Sequence, residues 1–309
     1  MGSIKRTPII GYLGLMFILN GFVIIIPGTV SIIFNELNAA LVFTLTGVAT
    51  IVLGIVLLRR YPKGELRLKE AMVVSASAWA VCPLISAIPF MTISHMDPID
   101  SYFEAMSGLT ATGLTMLINA EQCPNGILFL RSLLEWVGGV GVIVLLLAVI
   151  MRPGIAAATL YVAEARTDKI MPSAISTVRT IWWIYILYTI LGTILLFLAG
   201  LPLFDALNHS MTSLATGGFS IKNQSIGAYN NPSVELLVIC LMIIGSISFV
   251  VHYRVLHGNV KELVKNAEIR FMVVILILFT FLMTVDLYLR GYAPFQALRV
   301  SAFQCVSGM

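Results

Sequence analysis

Seven apolar stretches, at 9–34, 40–58, 71–92, 126–151, 176–200, 233–256 and 271–289, dominate this chain of 309 residues. About 20 helical residues cross a hydrocarbon core about 30 Å thick. In lipid every backbone N–H and C=O must find a partner inside the protein, which leaves helices or a closed barrel. Runs this long and this apolar are helices, so the expected fold is an all-α integral membrane protein. Composition agrees: 59% of residues are hydrophobic and 11% charged, and the mean hydropathy is +0.96. A soluble globular chain carries about 25% charged residues. These values exclude a soluble enzyme and a disordered chain. The net charge is only +4, and a nucleic-acid binder would need a clustered excess of basic charge, so that class is excluded too.

Cys82, Cys123, Cys240 and Cys305 are far apart and form no CxxC or Cys–His spacing, so neither a disulfide framework nor a transition-metal site is expected. Lys5 and Arg6 precede a first apolar stretch too long for a signal-peptide core, which is read as a retained span. With the N-terminus placed in the cytoplasm, 15 of the 19 Lys and Arg fall on that side. Only Arg131, Lys222, Arg290 and Arg299 fall on the other. That asymmetry is the positive-inside signal.

Two of the outer segments are not ordinary loops. After the third span, Asp97 reads as an N-cap and Pro98 as a first helical residue, with Asp100 and Glu104 in the opening turns. The segment ends in the small, Thr-rich string Leu109, Thr110, Ala111, Thr112, Gly113. About ten helical residues rise only ~15 Å, half a bilayer, which is the mark of a re-entrant half-helix. The pattern recurs between the fifth and sixth spans. At an offset of 105, Asp100 pairs with Asp205, Met106 with Met211, Leu109 with Leu214 and Gly113 with Gly218. A third copy begins after the seventh span, where 303–309 resembles 103–109. The expected organisation is an N-terminal pair of spans (1–69), a first repeat (70–175), a second (176–270) and an incomplete third (271–309), each repeat built as span, half-helix, non-helical segment and span.

Irregular backbone is tolerated at membrane depth only where it lines a cavity. Gly113, Gly217 and Gly218 permit the angles that turn carbonyls inward, and Thr and Ala let such segments approach one axis. Carbonyl rings replace the water of a dehydrated alkali cation. The negative C-terminal end of each half-helix favours a cation over an anion. The hydroxyls of Thr110 and Thr112 can add ligands or brace the backbone. A single TxTG string carries little; matching copies after matching half-helices carry the argument.

These residues resemble the Trk/Ktr/HKT superfamily of potassium transporters, and the TrkH/TrkG branch in particular. Residues 103–113 look like the first pore loop of that family, 127–141 like the start of its following helix, and 204–210 with 216–220 like its second loop. The resemblance covers essentially the whole chain. It implies a pseudo-tetrameric pore of four repeats in one polypeptide, usually a homodimer, in the cell (plasma or inner) membrane. A cytosolic nucleotide-binding subunit of the TrkA type gates it. K⁺ is the transported ion, and no cofactor is bound covalently. The ion-lining residues carried over are Thr110, Ala111, Thr112 and Gly113, with Ala215, Thr216, Gly217 and Gly218. Ala111 stands where the family often has Thr, a change that a carbonyl site survives. Met309 falls just before the expected third filter, so either the chain is a fragment of a longer protein, the favoured reading, or the missing half comes from another polypeptide.

Glu104 is read as the structural partner of a donor such as Arg131 in preference to a lure for cations, and His209 as a hydrogen-bonded packing residue. His95, His252 and His257 receive no role, and solvation explains Asp286. The charged stretches 59–70 and 259–270 face anionic lipid or the regulatory subunit. Gly138, Gly139 and Gly141 lie within a span and are read as close helix packing, not a nucleotide loop. Two other classes compete. A Na⁺-selective or ion-coupled secondary transporter would show broken helices with polar residues inside the spans. A membrane enzyme would need titratable groups converging at one depth, and none does.

Overall fold

The computed structural model describes residues 6–61, 64, 66–141 and 174–308. In chain order the helices are α1 (Arg6–Ile33), α2 (Leu37–Arg60), α3 (Leu68–Ile93), α4 (Pro98–Leu109), α5 (Asn125–Val140) and α6 (Ala174–Leu198). They continue as α7 (Leu203–Leu214), α8 (Pro232–Ser246), α9 (Phe249–Leu256), α10 (Glu262–Lys265), α11 (Ala267–Leu289) and α12 (Pro294–Ser307). No β-strand occurs among the described residues.

Small residues repeat every seven positions at the seam between α1 and α2. Gly14 faces Gly54, Gly21 faces Gly47, and Gly28 faces Ala40 and Phe43. A Cβ added at Gly21 would lie 2.7 Å from the Gly47 carbonyl oxygen, so the antiparallel backbones nearly touch. Lipid supplies no hydrophobic force between helices, and close van der Waals approach takes its place. α1 packs in turn on α3 and α5. Its buried Asn20 donates to the Cys82 carbonyl and accepts from the Ser86 hydroxyl of α3. Glu36, in the turn after α1, accepts from the Asn125 and Gly126 N–H groups and from the Asn125 amide, which caps α5. The N-terminal hairpin is thereby fastened to the start of the helix that backs the site.

Among the described residues, five helices, α1, α2, α3, α6 and α11, are long and apolar enough to span. The expected sixth span is a correction. It is not one helix: α8 and α9 meet at 104°. Ile247 and Ser248 adopt extended backbone, and the Ser248 hydroxyl caps α9 by accepting from the Val250 N–H. The carbonyl of Ile244 accepts from Nε2 of the buried His252, whose Nδ1 accepts from the Tyr188 hydroxyl. His252 therefore has a structural role that sequence reasoning withheld. The fourth expected span is described only to Val140, and its remainder at 142–151 lies outside the described residues, as do Lys63, Arg152, Arg166, Lys169 and Met309.

Candidate functional site

The two half-helices α4 and α7 have 12 residues each. They rise about 18 Å, well short of the hydrocarbon thickness. Pro98 stands in the first turn of α4 as expected, but Asp97, though in the N-cap position, makes no side-chain cap hydrogen bond. Tyr102 on α4 donates to the Ala80 carbonyl of α3, one turn before Pro83. That bond fastens the half-helix to α3.

Both half-helices end identically. The Thr112 N–H donates to Ser107 and the Ala111 N–H to Gly108; the Gly217 N–H donates to Thr212 and the Thr216 N–H to Ser213. This is the Schellman closure, which places its turning residue in the left-handed region. Those residues are Ala111 (φ 50°) and Thr216 (φ 54°), followed by Gly113 (φ 76°) and Gly218 (φ 110°). A non-glycine residue held there costs on the order of 1–3 kcal/mol, and a β-branched Thr is a pronounced outlier. Every one of these features repeats at the offset of 105. The segments also touch, since a Cβ on Gly113 would overlap the Gly217 carbonyl oxygen. The Thr110 hydroxyl donates to the Met106 carbonyl and accepts from the Thr112 hydroxyl, so these two side chains brace the backbone.

One face of α5 holds both segments from behind. The Arg131 Nε lies 2.7 Å from Glu104 Oε1, with both side chains buried. Glu104 also accepts from the Thr115 hydroxyl and from the Met116 N–H. The same guanidinium donates to the Ser220 carbonyl and lies 4.2 Å over the Phe219 ring. One turn further on, the buried Glu135 accepts from the Phe219 N–H at 3.0 and 3.1 Å. Gly138 then lies against the Leu109 carbonyl and Gly139 against Ala215. The pairing expected for Glu104 is therefore present, and the Gly138–Gly139 packing is explained. Behind the second segment, Tyr229 donates to Asp205 at 2.7 Å and accepts from His209 Nε2 at 3.0 Å, so His209 is a hydrogen-bonded packing residue. Sequence reasoning missed Glu135 and Tyr229. For Glu135 a signal existed: Arg131 and Glu135 stand i, i+4 inside an otherwise apolar run.

A third short helix, α12, reaches the second segment. Arg299 grips Glu235 of α8 at 2.5 and 2.6 Å. Between them lies a cavity of about 660 Å³, lined by Thr216, Gly217 and Gly218 on one side and by Phe303, Gln304 and Ser307 on the other.

Spans interleaved with half-helices, two of which end in paired, backbone-lined segments, define a membrane protein of the pore-loop class. The family model for the cation transport protein TrkH matches residues 39–304. An uncharacterized cation transporter of Methanocaldococcus jannaschii is 44% identical over 253 residues, which is 80% of this chain and 53% of that protein. The Trk system potassium uptake protein TrkH of Salmonella typhimurium is 32% identical over 305 residues, 95% of this chain and 63% of that one. The crystal structure of the potassium transporter TrkH from Vibrio parahaemolyticus superposes with a TM-score of 0.84 at 27% identity, over 98% of this chain and 64% of that chain. The chain belongs to the TrkH family of cation transport proteins and is an integral membrane protein. It spans between about half and two thirds of the length of the relatives it matches.

Proposed function

We propose that the full-length protein carries K⁺ across the membrane through a central pore. Its selectivity is set by main-chain oxygens of Thr110, Ala111, Thr112 and Gly113 together with Ala215, Thr216, Gly217 and Gly218. The carrying observation is the repeated left-handed backbone of two segments that meet at Gly113 and Gly217. Backbone strained in the same way at two places 105 residues apart is expensive, and function is the reason to keep it. Both half-helices end at these segments, so their negative ends add to a field that favours cations. The Arg131 and Glu104 charges are spent on each other, leaving ion contact to the backbone.

In this reading the chain is organised as the N-terminal pair 1–69, the repeats 70–175 and 176–270, and 271–309 of a third. The protein lies in the plasma or inner membrane with its N-terminus cytoplasmic. It works as a homodimer with a cytosolic TrkA-type subunit, in keeping with relatives named as members of a Trk system. The test is K⁺ and Na⁺ uptake by transport-deficient cells given the full-length gene, comparing wild type with Gly113→Ser and Gly218→Ser. Both positions have φ that an L side chain resists. Impaired uptake or lost K⁺ preference is expected for both. Unchanged uptake and preference would remove the filter assignment, and Na⁺ preferred by wild type would reassign the ion.

A further inference from the structure

Gly217 does not need to be glycine for its backbone angles, because its φ lies outside the left-handed region that Ala111, Gly113, Thr216 and Gly218 occupy. Its counterpart in the first segment, 105 residues earlier, is Thr112, so the conformation tolerates a β-branched side chain. Space is what differs. A Cβ on Gly217 would run into the carboxyl group of Glu135, which no solvent reaches.

That carboxyl has a defined task. It takes the Phe219 N–H with both oxygens, at 3.0 and 3.1 Å. A trans peptide is planar, and its N–H and C=O point in opposite directions. Holding the Phe219 N–H towards α5 therefore turns the Gly218 carbonyl away from α5. Gly218 lines the cavity and has open space where a Cβ would be. The second repeat lacks this device. Gly138 rests on the Leu109 carbonyl and Gly245 on the Leu214 carbonyl, which sets the register between α5 and α8. In that register Val238 and Met242 stand where α5 carries Arg131 and Glu135.

We propose that Glu135 is a positioning residue that sets ion selectivity by fixing the direction of the Gly218 carbonyl, and that Gly217 is glycine to admit it. The proposal rests on the pore reading above. It is tested in the full-length protein by K⁺ and Na⁺ uptake at matched membrane abundance. Glu135→Leu keeps much of the volume and removes the acceptor. It is expected to lower the K⁺/Na⁺ preference about tenfold, the worth of one buried hydrogen bond. Glu135→Gln keeps a carbonyl acceptor and is expected to retain most of the preference. Gly217→Ala is expected to damage selectivity, and Glu135→Asp, which withdraws the carboxyl by one methylene, to restore part of it in the double variant. This last pair carries the test should the Leu variant fail to accumulate.

Selectivity kept in Glu135→Leu, or Gly217→Ala equally impaired with Glu or Asp at 135, would overturn the proposal. If Gly218→Ser alters selectivity while the Glu135 variants do not, the pore reading survives and this one falls. If neither alters it, both fall.

Discussion

Replacing Arg131 with Met removes the cation of a buried pair and leaves Glu104, which has no exposed surface, facing apolar neighbours. Glu104 would retain the Thr115 hydroxyl and the Met116 N–H, but the Ser220 carbonyl would lose its Arg131 donor. Breaking a buried ion pair from one side costs about 3–5 kcal/mol, because the remaining charge is desolvated without compensation. At roughly 2–4 °C per kcal/mol, the unfolding midpoint should fall on the order of 10 °C. Removing both charges is a different perturbation, and Glu104→Gln with Arg131→Met should recover much of the loss. The assay is thermal unfolding of the purified full-length protein in detergent, run as a double-mutant cycle. A midpoint lowered by less than about 2 °C in Arg131→Met, on that same scale, would refute the reasoning. So would a double variant that loses the sum of the single losses. Because Arg131 ties Glu104 on the first side to Ser220 on the second, K⁺ uptake per molecule should also fall in the single variant.

Glu36→Ala uncaps α5 by removing the acceptor of the Asn125 and Gly126 N–H groups. It should cost about 1–2 kcal/mol, seen as a midpoint drop of a few degrees. Arg299→Ala breaks a pair whose side chains are 24% and 14% exposed. Its effect should stay within about 1 kcal/mol and shrink further in high salt when the same midpoint is followed.

Much of the scaffold was legible from residues alone. Helices at 9–34 and 271–289 follow from hydropathy, since a lipid-facing backbone has few alternatives. The half-helices could be read because Pro98, the acidic first turns and the closing glycines are local signals, and because Asp100, Met106, Leu109 and Gly113 recur 105 residues later. The break at Ile247 and Ser248 escaped notice because neither residue forbids a helix. It is held instead by Ser248 capping the next helix and by His252 reaching back to Ile244. The seven-residue spacing of Gly14, Gly21 and Gly28 against Ala40, Gly47 and Gly54 was present in the sequence. Its meaning required knowing that α1 and α2 are antiparallel neighbours.

The half-helix ends show where local information stops. Small residues at 110–113 and 215–218 announce a non-helical segment, and glycine's conformational freedom points to Gly113, Gly217 and Gly218 for its unusual backbone. The folded chain instead puts Ala111 and Thr216 in the left-handed region and leaves Gly217 outside it. Hydropathy, turn chemistry and repetition act over a few residues, so they settle which stretches cross, which dip in part way and where the helices stop. The bond between Glu135 and Phe219 joins residues 84 apart, and that between Arg131 and Ser220 joins residues 89 apart. No local preference encodes such contacts. They exist because α5 passes behind both segments, and that passage is what makes a carboxylate, an arginine and a missing Cβ parts of one site.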